Sequence, residues 1–145
     1  MATKTTEKAA LLSTIDPDNQ SAGTVTGDWV KCDKFDQFLA VFLIGVMTST
    51  GTCIFSVQQA TDASGTGAKA VKTATTLTEA GTDSDKQVLI GVDVSDLDLA
   101  GGFFWIAPRA ITAVAASYVS GALIGINPKY GVDTTGDLST VDAIF

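Results

Sequence analysis

Histidine is missing from all 145 residues, and arginine occurs once, as Arg109. The first absence removes the commonest general base near neutral pH, the usual partner of a nucleophilic serine or cysteine, and the commonest transition-metal ligand. An enzyme built from this chain would have to work through carboxylates, lysine or a cofactor. We read the sequence as non-catalytic and assign it no catalytic, cofactor-binding or metal residues. The shortage of arginine bears on partners. Nine basic residues against sixteen acidic ones leave a net charge of −7, whereas nucleic-acid binding needs clustered cations over the phosphates. No nucleic-acid partner is expected, and an anionic membrane surface repels the chain for the same reason.

Charge of either sign is scarce, 17% of residues against about 25% in typical soluble domains. An apolar fraction of 46% excludes disorder, which needs few hydrophobes and high charge. A sparsely charged, Thr- and Ala-rich surface points to contact with protein. The two cysteines, Cys32 and Cys53, pair only if their strands lie side by side with α-carbons roughly 5–6 Å apart; otherwise they are small buried thiols. Without histidine they do not make a zinc site. The longest apolar run, Phe38–Met47 (FLAVFLIGVM), is shorter than the roughly 20 residues that span a bilayer. The opening MATKTTEKAALLST lacks the apolar core of about 7–15 residues that a signal peptide requires. A soluble protein made in the cytosol is expected.

What remains is β. Residues 1–21 read as an extended N-terminal arm of scattered charge with Pro17. From Ala22 short apolar stretches follow one another between turn signals. Thr24–Thr26 leads through Gly27 to Trp29-Val30, a strand bent or bulged at a glycine. The Phe38–Met47 run, rich in β-branched and aromatic residues, predicts a strand buried on both faces. Cys53–Gln58 alternates with a period of two, Ala70–Leu77 alternates weakly, and Gln87–Val94 is a further strand. Ser95 with Asp98 is placed to cap a short helical turn that Gly101-Gly102 stops. Phe103–Ala107 is then a strand ended by Pro108, and Ile111–Ile126 holds two strands that bend at Gly121. Seven or eight strands in roughly 110 residues mark an antiparallel sandwich or barrel. Residues 22–131 form the body, and 132–145 a C-terminal arm ending in Ala143-Ile144-Phe145.

Three constellations invite chemistry. Gln58–Lys69, QQATDASGTGAK, has the glycines and lysine of a phosphate cradle. Yet Lys69 follows Ala68 instead of glycine, Ala70 stands where a metal-binding hydroxyl belongs, and no helix follows. It reads as a hairpin loop turned by Asp62 and Ser64, with Gly65 and Gly67 at positive φ. The aspartates Asp16, Asp18, Asp83, Asp85, Asp93, Asp96 and Asp98 lack the fixed offsets around a glycine that a calcium loop has, and turn aspartates commonly cap backbone. Trp29, Phe42, Phe55, Phe103, Phe104, Trp105 and Tyr118 are most simply core. One of the three neighbours Phe103–Trp105 must face outward, as a sugar platform or an interface anchor.

QQATDASGTGAK, then AGTDSDKQ (Ala80–Gln87), VSDLDLAGGF (Val94–Phe103) and NPKYG (Asn127–Gly131), taken in that order, resemble a family of small proteins from the head genes of tailed bacteriophages, similar to capsid decoration (cement) proteins. The similarity spans roughly Val46–Gly131 and lies in structural turn motifs. It implies an all-β, jelly-roll-like antiparallel β-sandwich body located on the capsid exterior; the extended N- and C-terminal arms, 1–21 and 132–145, lie outside the similarity and are read from the residues alone. The implied partners are the major capsid protein and further copies of the chain, as a homodimer or homotrimer. A tail-tube or head–tail connector protein, or a carbohydrate-binding sandwich, are the alternatives. If 1–20 is an arm, its deletion leaves the body folded and weakens attachment.

Overall fold

A computed structural model describes residues 8–129. It is all-β. The strands are β1 (Ala9–Gln20), β2 (Gly23–Thr26), β3 (Val30–Lys31), β4 (Phe35–Met47), β5 (Thr52–Ala60), β6 (Lys69–Thr73), β7 (Leu77–Thr78), β8 (Gln87–Asp93), β9 (Trp105–Ala113) and β10 (Ser117–Pro128). Two antiparallel sheets face each other. One has four strands in the order β1-β10-β4-β8. The other is built on β2-β9-β5-β6, with β3 added to β9 and β7 to β5. The eight longer strands form four nested antiparallel pairs: β5 with β6, β4 with β8, β2 with β9 and β1 with β10. The chain therefore behaves as one long folded-over ribbon whose successive pairs fall in alternate sheets.

The core lies between the sheets and follows from two-residue periodicity. Phe35, Phe38, Ala40, Phe42 and Ile44 of β4 point inward, and Cys53, Phe55 and Val57 of β5 meet them from the other side. The Phe42 and Phe55 rings stack with centroids 4.7 Å apart, and Phe35 meets Phe38 edge-on at 6.3 Å. Glycine makes this possible on β10. Gly121 lies across from Phe42, and a Cβ there would come within 2.8 Å of the Phe42 ring. At Gly125 a Cβ would meet the buried Phe35 ring at 2.7 Å.

Several expectations need correction. The stretch 1–21 is not an arm over its described part, because β1 pairs with β10 and buries Leu12 and Ile15 in the core. The body therefore begins at Ala9. Gly121 is no hairpin point; β10 runs straight through it, and the turn falls at Val114–Ala116, where Val114 has φ 69°. Pro108 does not end a strand but lies inside β9, opposite the gap between β2 and β3, where a missing N–H breaks no ladder. The short turn Val94–Asp96 is capped by Asp93 and Asp96 rather than by Ser95 and Asp98. The C-terminal arm lies outside the described residues.

Deleting residues 1–20 is now expected to abolish the cooperative thermal melt, since it removes a whole core strand; an unchanged melt would contradict the placement of β1. Leu12→Ala should cost about 2–5 kcal/mol. Gly125→Ala should cost about 1–3 kcal/mol by overpacking, while Gly91→Ala, whose Cβ meets nothing within 4 Å, should be near neutral; chemical denaturation measures both.

Candidate functional site: the outer face of the four-stranded sheet

The loop that first suggested chemistry is a hairpin turn between β5 and β6. Asp62 accepts hydrogen bonds from the Ser64 and Thr66 amides at 2.9 and 3.0 Å, and Thr61 closes the loop on the Thr66 carbonyl at 3.0 Å. Gly65 and Gly67 take positive φ, 81° and 66°. Gly65 lies against the Trp29 indole, where a Cβ would meet Nε1 at 2.6 Å.

The clustered aspartates are tied into turns as well. Asp83 accepts from the Thr78 amide at 3.0 Å and from Lys86 at 2.8 Å. Asp96 accepts from the Asp93 amide and pairs with Lys72 at 2.7 Å. Asp98 accepts from the Gly101 amide at 3.0 Å and pairs with Lys69 at 2.6 Å, whose ammonium also sits 3.9 Å above the Phe103 ring. Each of these contacts favours the ionised carboxylate. The Thr66 hydroxyl beside Asp62, and Lys86, Lys72 and Lys69 beside Asp83, Asp96 and Asp98, hold all four below the ordinary range. Among the described residues, no three acids or cysteines converge on a point that could hold a metal ion.

Cys32 and Cys53 are both free and buried. Burial raises both thiols, Cys53 to about 12. The aromatics divide. Phe42 and Phe55 are core, Phe104 is the one of Phe103–Trp105 that faces outward, and Tyr118 is exposed, contrary to the expectation of burial. Trp29 and Trp105 line one shallow cleft with Leu12, Lys31 and Asp33. Arg109 stands on the outer face of the six-stranded sheet, in register with Thr26 and Ser56, its Nε buried and without a partner among the described residues.

The feature that sequence reading missed is the second face of β4. Phe38–Met47 is not buried on both sides. Its inward side is core, while Leu39, Val41, Leu43 and Val46 face away from it. Register extends this face across the sheet. One row reads Thr14, Ala122, Val41, Leu89 and the next Leu11, Ile124, Leu39, Gly91. A third carries Ser120, Leu43 and Gln87. None of these side chains is charged. Leu43, Val46, Leu89 and Tyr118 are 48, 61, 66 and 54% exposed. Two shallow depressions cross the face, one at Leu11, Val41 and Ala122 with Asp16 on its β1 side, the other at Pro17, Leu43 and Tyr118 with Asp18 on its β1 side. The signal was present in the run FLAVFLIGVM: its apolar residues occupy both parities, so the strand has two apolar faces, and the fold covers one.

Both edges of this sheet carry features that discourage further strands. Edge β1 is broken by two register shifts and carries Pro17. On edge β8 the Gly91 carbonyl accepts from Lys72, which reaches over from β6 at 2.8 Å. Bulges, proline and lysine are the usual guards of an exposed edge. Among the described residues nothing covers the face itself. Compared with known proteins, the chain matches no family model, no curated protein and no solved structure.

Stability should respond to pH at both ends of the scale. The four aspartates titrate below 3.8 in the folded chain, so their contribution is complete above that value and is lost as pH falls through it. Cys53 titrates above the unfolded value of 9.0, so its contribution is complete below 9.0 and is lost as pH rises toward 12. Melting temperature should be level between these limits and fall outside them. Neither thiol should react with a thiol reagent at pH 8 until denaturant is added.

Proposed function

We propose that this chain is a structural virion protein, a jelly-roll sandwich that binds the outside of a bacteriophage capsid and stabilises contacts between major capsid subunits. The observation that carries the reading is the uncovered apolar face of the four-stranded sheet, a surface suited to a protein that works while covered by other protein. The nested pairing of β1 with β10, β2 with β9, β4 with β8 and β5 with β6 supports the jelly-roll assignment, an architecture common in capsid proteins. The turn motifs that carry the resemblance support it too. Asp62, Asp83 and Asp98 are spent on holding loops in shape, which suits a rigid building part. A net charge of −7 suits a position outside a shell filled with nucleic acid.

Attachment is assigned to the folded body, because β1 belongs to the sheet and is not free to lie across a neighbour. Modest contacts repeated over a lattice add up to a layer that is hard to remove. A tail-tube or connector role would instead require a ring. One observation favours a carbohydrate-binding reading, the convergence of Trp29 and Trp105 in one cleft, since stacked sugars sit on aromatic faces; reproducible binding on a glycan array would promote it.

The decisive experiment mixes the protein with capsids assembled without it and follows binding and thermal disruption. Saturable binding and a higher disruption temperature are expected. Absence of binding, or hexameric or twelvefold rings of the isolated protein in image averages, would remove the cement assignment.

A further inference from the structure

We infer that the outer face of the four-stranded sheet is a twofold seam between two copies of this chain. The inference deepens the structural role proposed above by naming what covers the face, and a paired brick gives that role its grip: two identical bodies joined back to back hold two shell subunits at once.

Four observations select a second copy. The first is chemical. The three central rows carry no charge, and Leu43, Val46, Leu89 and Tyr118 present large apolar surfaces to solvent. Faces that are apolar without charged anchors are the mark of homodimer interfaces, which are about 65% apolar where transient ones are about 56–58%. The second is electrostatic. A chain of net charge −7 repels its own copies least where uncharged surfaces meet, and the central rows of this face are uncharged, with Asp16 and Asp18 only at its β1 border. The third is topological. Both edges of the sheet are guarded, by Pro17 with the β1 register shifts and by Lys72 on the Gly91 carbonyl, so strand addition is disfavoured while nothing among the described residues covers the face. Two copies of one face related by a twofold axis make an isologous contact that closes at two.

The fourth is size. Three strands followed for about ten residues and β8 for its seven, at about 3.4 Å per residue and about 4.8 Å apart, make a face of about 600 Å² in projection. Side chains standing on a pleated face expose more than its projection. That reaches the roughly 800 Å² that each partner contributes to a standard interface. Such a seam also accounts for the sequence of β4, whose two apolar faces then lie one in the core and one against the partner.

The test uses the full chain without capsids, in sedimentation equilibrium over a range of concentrations. A dimer at micromolar concentration is expected, tightening with added salt, because screening relieves the repulsion and salt does not weaken an apolar contact. Leu43→Glu and Leu89→Lys, both at exposed positions, should keep the wild-type melt and circular dichroism and weaken association by about 100-fold or more. Phe104→Glu, on another part of the surface, should leave the dimer intact. A wild-type monomer or trimer, a dimer that neither Leu43→Glu nor Leu89→Lys alone weakens, or a dimer that loosens with salt would each overturn the inference. A monomer that still coats capsids would overturn the seam and leave the cement role standing; a dimer that ignores capsids would do the reverse.

Discussion

The sandwich depends on the stacking of Phe42 upon Phe55, which joins the two sheets at the centre of the molecule. Phe42 is held on its own sheet by β10, where Gly121 leaves the space its ring occupies. Phe55 sits in β5, a strand buried over nearly all its length between β9 on one side and β6 and β7 on the other. Once these rings meet, the register of β4 against β10 is fixed, because a slip of one residue would turn every large side chain of β4 to the opposite face. Gly125 beneath Phe35 repeats the device at the end of the sheet. Two glycines thus allow two aromatic rings, and the rings allow the close approach of two sheets.

That constraint also creates the surface that matters for function. With Phe38, Ala40, Phe42 and Ile44 committed to the core, Leu39, Val41, Leu43 and Val46 are turned outward by the pleat. The fold has no helix or third sheet among the described residues to cover them. Several acids are engaged elsewhere: Asp62 locks a loop through backbone amides, and Asp83, Asp96 and Asp98 hold turns and pair with lysines. Loops held by hydrogen bonds, guarded edges and one bare apolar face are the features on which the proposed structural role, and the proposed second copy on that face, rest.

Much of the fold was legible. Two-residue alternation in Cys53–Gln58 and Gln87–Val94 located β5 and β8, and the spacing of Gly65, Gly67 and Asp62 identified a hairpin loop because positive φ and Asx turns are local properties. Less legible were features set by distant partners. Ala9–Gln20 carries two Asp residues and Pro17, which argue against a strand locally, yet Leu12 and Ile15 find a groove against β10 more than a hundred residues away in sequence. Pro108 looked like a terminator because nothing in the sequence shows that it stands opposite a gap between β2 and β3.

The sequence by itself determined the class of structure, strands without long helices, and the character of the chain, acidic, without histidine and with apolar residues on both parities of its central strand. Those are properties of composition and local period, and they hold whatever the strands do next. Tertiary structure alone decided which parity of β4 enters the core, because that choice depends on where Gly121 and Gly125 of β10 open space for rings. It also decided that the four-stranded sheet has guarded edges and an open face, since Lys72 reaches Gly91 only after two separate sheets have packed. Burial is a property of pairs of surfaces, and a single sequence names only one member of each pair.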